Sequence, residues 1–326
     1  MKRLALLFAG GAVWLFLAAV PVFADGGPHV RGAGVIADSC AGCHRTHTAT
    51  QQRLLLAVQP ALCYTCHGTT GTGAANDVQN GVAYTLTTGV RTATVAGALR
   101  GGGFVNARIN SAAPTGQTAT GSASAGIVPV LAAGLASTSS HSVDGTSVTA
   151  WGIGALNSGA GTQIQLACGS CHDPHGNGNY RTLRPIPSQS GAAAVTIADE
   201  TTKVYTTTNY WAVAAGAIAI TTPPGVTFIA SANAWCATCH TRYSASSGSG
   251  STSSGDTIFN YRHRTDLAGV GEANCVQCHV AHGSNAAQGL TSQTVKNPDG
   301  TAAVPVTDSR LLRIDNRGTC QMCHSK

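Results

Sequence analysis

The chain has 326 residues, of which 40 are Gly, 6 are Phe, 4 are Trp and only 10% are charged. A chain this poor in large apolar side chains cannot offset the entropy of ordering its backbone by side-chain burial alone, which excludes an ordinary globular core. The formal net charge of +6 falls to +4, 17 basic against 13 acidic residues, when Lys2 and Arg3 are set aside. No basic patch accompanies this charge, so nucleic-acid binding is not expected.

The N-terminal stretch has the three parts of a secretory signal peptide. Residues 1–3 are positively charged, residues 4–20 are apolar, and residues 22–24 form a small-x-small cleavage site. We therefore expect residues 1–24 to be removed, which gives a secreted protein that starts at Asp25. The alternative is an uncleaved anchor, because the apolar run approaches the length of a membrane span.

Six copies of the pattern Cys-x-x-Cys-His, called motifs 1 to 6 in chain order, use all 12 cysteines. This is the attachment signature of c-type haem, in which two thiols bond the porphyrin and the histidine becomes an axial ligand of the iron. A disulfide, a redox pair or half a zinc site would not require histidine at the next position every time. We therefore predict six covalently attached haem c groups. The cysteines are Cys40 and Cys43, Cys63 and Cys66, Cys168 and Cys171, Cys236 and Cys239, Cys275 and Cys278, and Cys320 and Cys323, and the motif histidines are His44, His67, His172, His240, His279 and His324.

The supply of histidine matches the number of axial positions. Six haems need twelve axial ligands, and the sequence holds 12 His, but its 2 Met are Met1 in the signal peptide and Met322 inside motif 6. We therefore predict bis-histidine ligation at every iron, and low reduction potentials because methionine ligation is absent. The second ligands are three trailing histidines, each three residues after a motif histidine, and three upstream histidines: His47, His175 and His282, and His29, His141 and His263.

An upstream histidine, a motif, a trailing histidine and a second motif recur in this order three times. We expect an irregular, coil-rich multihaem cytochrome c fold, with short helices that start at or just after the motifs, a few short β-strands and a haem stack as its core. Val82, Tyr84 and Leu86 alternate as in a short edge strand. The predicted divisions are a signal peptide (1–24), a first dihaem repeat (25–67), a Gly/Ala/Ser/Thr-rich insert (68–140), a second dihaem repeat with a β-rich insert (141–240), a Gly/Ser loop (241–260) and a third dihaem repeat (261–326).

The trailing histidines are too close to their own motifs to share the same iron. His47 follows His44 by three residues, so the intervening backbone spans about 10 Å at most and can hardly pass round a porphyrin. A haem stacked alongside is within easy reach. This argument assigns each trailing histidine to the next motif: His47 to motif 2, His175 to motif 4 and His282 to motif 6.

This order of ligands resembles a known family. The sequence is similar to the OmcS-type extracellular hexahaem c-type cytochromes of metal-reducing bacteria. The features that carry this resemblance are His29, the segment from Cys40 to His47, the six motifs, the signal peptide and the coil-rich composition. The resemblance covers the motifs and the ligand order but not the two long inserts. It implies subunits that polymerise into filaments with a continuous chain of haems, in which a histidine near the mature N-terminus ligates a haem of the neighbouring subunit. His29 is the matching position.

Two assignments remain open for the upstream histidines. In the local scheme His29, His141 and His263 serve motifs 1, 3 and 5, which gives a monomer. In the shifted scheme His141 serves motif 1, His263 serves motif 3, and His29 of the next subunit serves motif 5. The shifted scheme gives a head-to-tail contact that does not close, and therefore a filament. The residues 25–28 before His29 place it on a terminus that is free to reach outward.

The sequence therefore predicts long-range extracellular electron transfer, with other multihaem cytochromes and extracellular acceptors as redox partners. A monomeric periplasmic or outer-surface electron carrier is the alternative. A multihaem reductase is less favoured, because it needs an iron with an open position and the histidine supply covers every site. We expect an electron-transfer protein and not an enzyme.

The haem count can be checked by mass. We expect the intact secreted protein to have the mass of the chain from about Asp25 plus six haem groups, because every cysteine belongs to a motif. Mass spectrometry of the fully matured protein measures this number, and five or fewer haems would contradict the prediction.

Overall fold

The computed structural model describes His29 and residues 40–111, 129–153, 161–188, 190–200, 203–206, 225–243, 275–286, 295–296, 303–304 and 308–314. The predicted signal peptide, motif 6 with His324, His263 and most of the predicted Gly/Ser loop lie outside the described residues. Irregular backbone predominates, and within these ranges no helix is long and apolar enough to cross a membrane.

Four α-helices in the described ranges carry or lead into motifs. They are α1 (Ala61–His67), α2 (Cys168–Cys171), α3 (Gly225–Ala237) and α4 (Cys275–Cys278), and the 3₁₀ turns are Cys40–Gly42, Gln52–Leu54, Tyr180–Thr182 and Thr241–Tyr243. Helices α2 and α4 start at a motif as predicted, but α3 begins eleven residues before Cys236. Its buried residues Phe228 and Ala232 pack in an apolar cluster, which explains why this helix extends upstream of its motif.

The strands form one four-stranded antiparallel sheet in the order β1-β2-β3-β9 and four antiparallel pairs, β4-β5, β6-β10, β7-β8 and β11-β12. The alternating stretch lies in β2, which pairs with β1 and β3 at Val82 and so is not an edge strand there, whereas among the described strands Leu86 of β2 pairs with β3 alone. The strand bounds are β1 Asn76–Asp77, β2 Val82–Thr87, β3 Val90–Leu99, β4 Asn106–Ser111, β5 Pro129–Ala136, β6 Ser139–Ser140, β7 Ser147–Trp151, β8 Gly161–Gln165, β9 Val204–Tyr205, β10 Gly283–Ser284, β11 Val295–Lys296 and β12 Ala303–Val304.

Side-chain cores are small, as the composition predicts. One cluster of the described residues contains Ala98, Ile109, Tyr205 and Ile314, and joins the sheet to the segment after motif 5. The second contains Tyr180, Ile197, Phe228 and Ala232, and joins motif 3 to helix α3. Each cluster connects segments that are distant in the chain and near different motifs, so apolar packing here serves to hold motifs together.

A tight turn recurs after motifs 1, 3 and 5. Its two central residues both have positive φ, the geometry of a type I′ turn that usually requires Gly or Asn. They are instead Arg53 and Leu54 (φ 59° and 58°), Arg181 and Thr182 (51° and 54°), and Arg310 and Leu311 (48° and 58°). We call these three segments the arginine turns.

Each arginine turn folds back on its motif. Single antiparallel bridges join His44 to Leu55, His172 to Leu183 and His279 to Leu312. The residue after each bridge donates its N–H to the carbonyl of the second motif cysteine: Leu56 to Cys43 at 3.0 Å, Arg184 to Cys171 at 2.8 Å and Arg313 to Cys278 at 2.7 Å. The threefold sequence repeat is therefore also a repeat of structure.

The arginine turns store backbone strain that glycine would relieve. Thr182 is β-branched and sits at φ 54°, where an L-residue costs about 1–2 kcal/mol. Glycine relieves this strain, but its greater entropy in the unfolded chain offsets part of the gain. We therefore expect Thr182→Gly to raise the free energy of unfolding by about 0.5–1 kcal/mol, as measured by denaturant unfolding. Thr162→Gly, in exposed strand β8, is the matched control and should lose about 0.5–1 kcal/mol. Equal destabilisation by both changes would contradict this account of the turn.

Candidate haem-ligand sites

The backbone fixes the orientation of six imidazole rings through their Nδ1 atoms. A carbonyl oxygen only accepts, so Nδ1 carries the proton in each of these bonds and Nε2 keeps its lone pair for a metal ion. In motifs 1, 3 and 5 the acceptor is the carbonyl of the arginine in the arginine turn. The bonds are His44 to Arg53 (2.8 Å), His172 to Arg181 (2.9 Å), His279 to Arg310 (3.0 Å), His240 to Trp151 (2.6 Å), His29 to Pro174 (2.7 Å) and His141 to Ala281 (2.7 Å).

Four motif histidines each face one of the remaining histidines. The ring centroids of His29 and His67 are 5.9 Å apart, and those of His141 and His240 are 6.0 Å apart. The same distance is 6.2 Å for His44 and His175, and 6.4 Å for His172 and His282. The four separations agree within 0.5 Å, although the interplanar angles range from 15° to 74°.

This spacing is what two axial ligands of one iron require. A bond from imidazole nitrogen to a transition-metal ion is about 2 Å long, and the ring centroid lies roughly 1 Å beyond the nitrogen, so two opposed imidazoles have centroids about 6 Å apart. Each pair also contains one histidine that directly follows an attachment cysteine. The residues present therefore fit a covalently bound haem with two histidine ligands.

The trailing histidines cross to a different repeat. His175, after motif 3, faces the histidine of motif 1, and His282, after motif 5, faces the histidine of motif 3. The prediction that they serve motifs 4 and 6 was wrong. The reach argument still excludes their own iron, but tertiary packing brings each of them to a motif histidine two motifs earlier in the chain.

The upstream histidines serve the second motif of their own repeat. His29 faces His67 of motif 2, and His141 faces His240 of motif 4. Neither the local nor the shifted scheme assigned them this way. His29 also donates to the Pro174 carbonyl of its own chain, so within one subunit it lies against motif 2, whereas the resemblance implied that it reaches a neighbouring subunit.

Burial keeps these imidazoles in the neutral form that binds metal. Removal from water lowers the pKa of His67 to about 4 and that of His141 to about 4, and it lowers the pKa of His282 to about 3. Burial also lowers the pKa values of His172, His240 and His279. Neutral imidazole is the ligating species, so at neutral pH no proton competes for Nε2 in this set.

The first five motifs follow one another in space in the order of the chain. The side chain of Cys43 in motif 1 lies close to both cysteines of motif 2, and that of Cys171 in motif 3 lies close to Cys239 in motif 4. Two closer approaches join motif 2 to motif 3, between Cys63 and Cys168, and motif 4 to motif 5, between Cys236 and Cys275. Haems attached here are therefore neighbours in sequence order.

Two amide side chains hold the close junctions. Gln59 accepts from the backbone N–H of Gly169 at 2.7 Å, which joins the segment before motif 2 to motif 3. Asn233 is 1% exposed and accepts from the N–H of Cys275 at 2.8 Å, which joins helix α3 to motif 5. The junctions of motifs 2 with 3 and 4 with 5 are thus built alike.

Sequence reasoning missed several residues at these sites. Phe104 stacks on His282 with ring centroids 4.4 Å apart, and a Cβ on Gly101 would come within 3.0 Å of the same imidazole. Nothing in the sequence marks these two positions. The arginine turns do have a signal, since the tripeptides 53–55, 181–183 and 310–312 read Arg-Leu-Leu, Arg-Thr-Leu and Arg-Leu-Leu.

Comparison with known proteins supports the haem assignment over the first two motifs. Residues 33–72 match the family model described as the doubled CXXCH motif. This stretch is similar to multihaem c-type cytochromes. The motifs indicate covalently attached haem c and a role in electron transfer. No curated protein and no solved structure matches the chain.

The pairing of the trailing histidines can be tested by ligand removal. We expect His175→Ala to leave the iron at Cys40 and Cys43 without its sixth ligand, because His175 faces His44. Magnetic resonance of the oxidised protein should then show one high-spin haem. If Cys40 and Cys43 are also replaced by serine, that signal should disappear. A signal that persists without the motif 1 haem would assign His175 to another iron.

Proposed function

We propose that this protein carries electrons over long distances outside the cell, along a chain of bis-histidine c-type haems that continues from one subunit to the next. The observation that supports this most strongly is the set of four facing histidine pairs at 5.9–6.4 Å, each beside an attachment motif. Haem supplies an iron that takes up and releases one electron. The chain supplies the order of the motifs and two nitrogen ligands at each site.

Contacts between consecutive motifs support conduction along the chain. Motifs 1 to 5 neighbour one another in order through their cysteines. A histidine on each iron face leaves no open position for a substrate, which favours electron transfer over catalysis. Different hydrogen bonds and burial at each site would spread the potentials along the path.

The pairing rule leaves one histidine and one iron to be matched. Trailing histidines serve the motif two places earlier, and upstream histidines serve the second motif of their repeat, which assigns His263 to motif 6. Of the 12 histidines, this rule leaves His47 without an iron and the iron of motif 5 with His279 alone. Within the described part of the chain, neither His47 nor His279 faces another imidazole, and the His47 side chain is exposed.

Two subunits can complete each other at this position. His47 stands after motif 1 as His175 stands after motif 3 and His282 after motif 5. Continuing the same step across a subunit boundary places His47 of one copy on the motif 5 iron of the next. Such a contact joins two different surfaces and does not close on itself, so it generates a filament. This replaces His29 by His47 as the intersubunit ligand.

The proposed setting is extracellular, with the signal peptide directing export and other multihaem cytochromes and extracellular acceptors exchanging electrons with the filament. A subunit that remains monomeric would keep an iron at motif 5 with one protein ligand. That arrangement is the one that would favour a reductase, so the state of this iron separates the two functions.

The intersubunit ligand can be tested with a matched pair of variants. We expect His47→Ala to abolish filaments in electron micrographs of the secreted protein and to make the haem at Cys275 and Cys278 high-spin. His29→Ala is the control: filaments should persist, and the haem at Cys63 and Cys66 should be the one altered, because His29 faces His67.

Two results would contradict this proposal. Filaments that survive His47→Ala with every iron still low-spin would remove His47 from the interface. A wild-type protein that is monomeric with one high-spin haem would favour the reductase instead.

A further inference from the structure

Arg100 is a buried cation that follows strand β3. It is 7% exposed, and its Nη1 donates to the Tyr180 hydroxyl across 3.5 Å. Its Nε and Nη2 atoms are buried and have no hydrogen-bond partner among the residues that the structure describes. Nε and Nη2 share one edge of the guanidinium plane, so a complete side of the group is left without an acceptor.

Two aromatic rings lie against this guanidinium. Its carbon lies 4.9 Å from the centroid of the Phe228 ring and 5.8 Å from that of Tyr180. The ion pairs of the described residues do not include Arg100. Ring faces offset part of the cost of burying a cation, but a buried charge is ordinarily paired with an opposite one.

The position of Arg100 in the fold identifies the neighbouring haem site. The next residue, Gly101, accepts from the backbone N–H of His282 at 2.6 Å, and its Cα lies against that imidazole. His282 faces His172 of motif 3. Tyr180 opens the arginine turn that bonds His172. Tyr180, which bonds Arg100, and Gly101, which follows it in the chain, thus both lie in the surroundings of motif 3.

We propose that Arg100 binds a propionate carboxylate of the haem attached to Cys168 and Cys171, through Nε and Nη2. The planar edge of a guanidinium matches the two oxygens of a carboxylate and forms paired, charge-assisted hydrogen bonds. Haem carries carboxylates of this kind. This inference rests on haem attachment at motif 3, and it assigns a role to a buried residue outside the ligand pairs.

Arg100 has a functional consequence through its charge. A fixed positive charge beside the haem favours the reduced iron, which has one positive charge fewer. Arg100 therefore raises the potential of the motif 3 haem relative to the same site without it. In a chain of haems that all have two histidine ligands, such a contact makes the reduction potential of the motif 3 haem differ from those of its neighbours.

The test requires the motif 3 haem to have a reduction wave that is separate from those of the other haems. His282→Met provides this, because methionine ligation raises the potential of that haem alone. In this background we expect Arg100→Gln to shift the separated wave to lower potential in spectroelectrochemistry. Arg100→Lys keeps the charge and should shift it much less. The control is Arg91→Gln, since Arg91 donates to four backbone carbonyls, of Cys66, Gly68, Ala74 and Asn76, and should leave the wave in place.

Intact mass and low-spin spectra of each variant separate the possible failures. A full haem count with a wave that does not move, or a shift in another haem, would overturn the role of Arg100 and leave the proposed function standing. A mass without haem at motif 3 would overturn both. If Arg100→Gln does not mature, infrared difference spectra of Arg100→Lys serve instead. The propionate bands should change, because lysine cannot bind both oxygens, and unchanged bands would overturn the proposal.

Discussion

The opposed pair of imidazole nitrogens is the constraint on which the rest of this structure depends. An iron between two histidines needs rings about 6 Å apart, each with Nε2 free and turned inward. The backbone keeps Nε2 free by giving Nδ1 a carbonyl acceptor at six of the described histidines. The ring spacing of about 6 Å is reached between segments as far apart in sequence as His44 and His175. Some of the long-range contacts between the described residues thus bring facing histidines together.

The strained arginine turns follow from the same constraint. Two consecutive non-glycine residues with positive φ are costly, yet the arrangement recurs after motifs 1, 3 and 5. In each case the turn points the arginine carbonyl at the motif histidine and bridges the motif backbone. The cost is offset by a histidine held in one tautomer and one orientation. The two small apolar clusters act similarly, because each holds segments near different motifs together.

Buried cations add an electrostatic layer to this framework. Arg100 and Arg313 are 7% and 2% exposed, and each donates to a tyrosine hydroxyl, Tyr180 and Tyr205 respectively. Both guanidinium groups also lie over the ring of that tyrosine. Burying an arginine in a protein with so few charged residues is costly unless an anion is nearby. For Arg100, a haem carboxylate is the anion that the proposed cofactor would bring.

The sequence by itself determined the predicted chemistry of this protein. Cysteine spacing predicts the attachment points, and the count of histidines predicts two imidazole ligands for each iron. These predictions need only local geometry, because one motif binds one haem wherever the chain goes. The reach of three residues also predicts that a trailing histidine does not serve its own iron, and His175 and His282 face the histidines of other motifs. Coil-rich backbone with short helices at motifs 3 and 5 follows equally from composition and spacing.

Tertiary structure alone decided which histidines meet. The facing histidines are 38 residues apart for His29 and His67, 99 for His141 and His240, and more than 100 for the other two pairs. No local pattern encodes such a separation, since it depends on how helix α3, the four-stranded sheet and the arginine turns pack. The same is true of Gly101, Phe104 and Arg100, which are ordinary in sequence. Because strand β3 ends beside motif 5, packing brings Gly101 and Phe104 to the His282 imidazole and Arg100 to the Tyr180 hydroxyl.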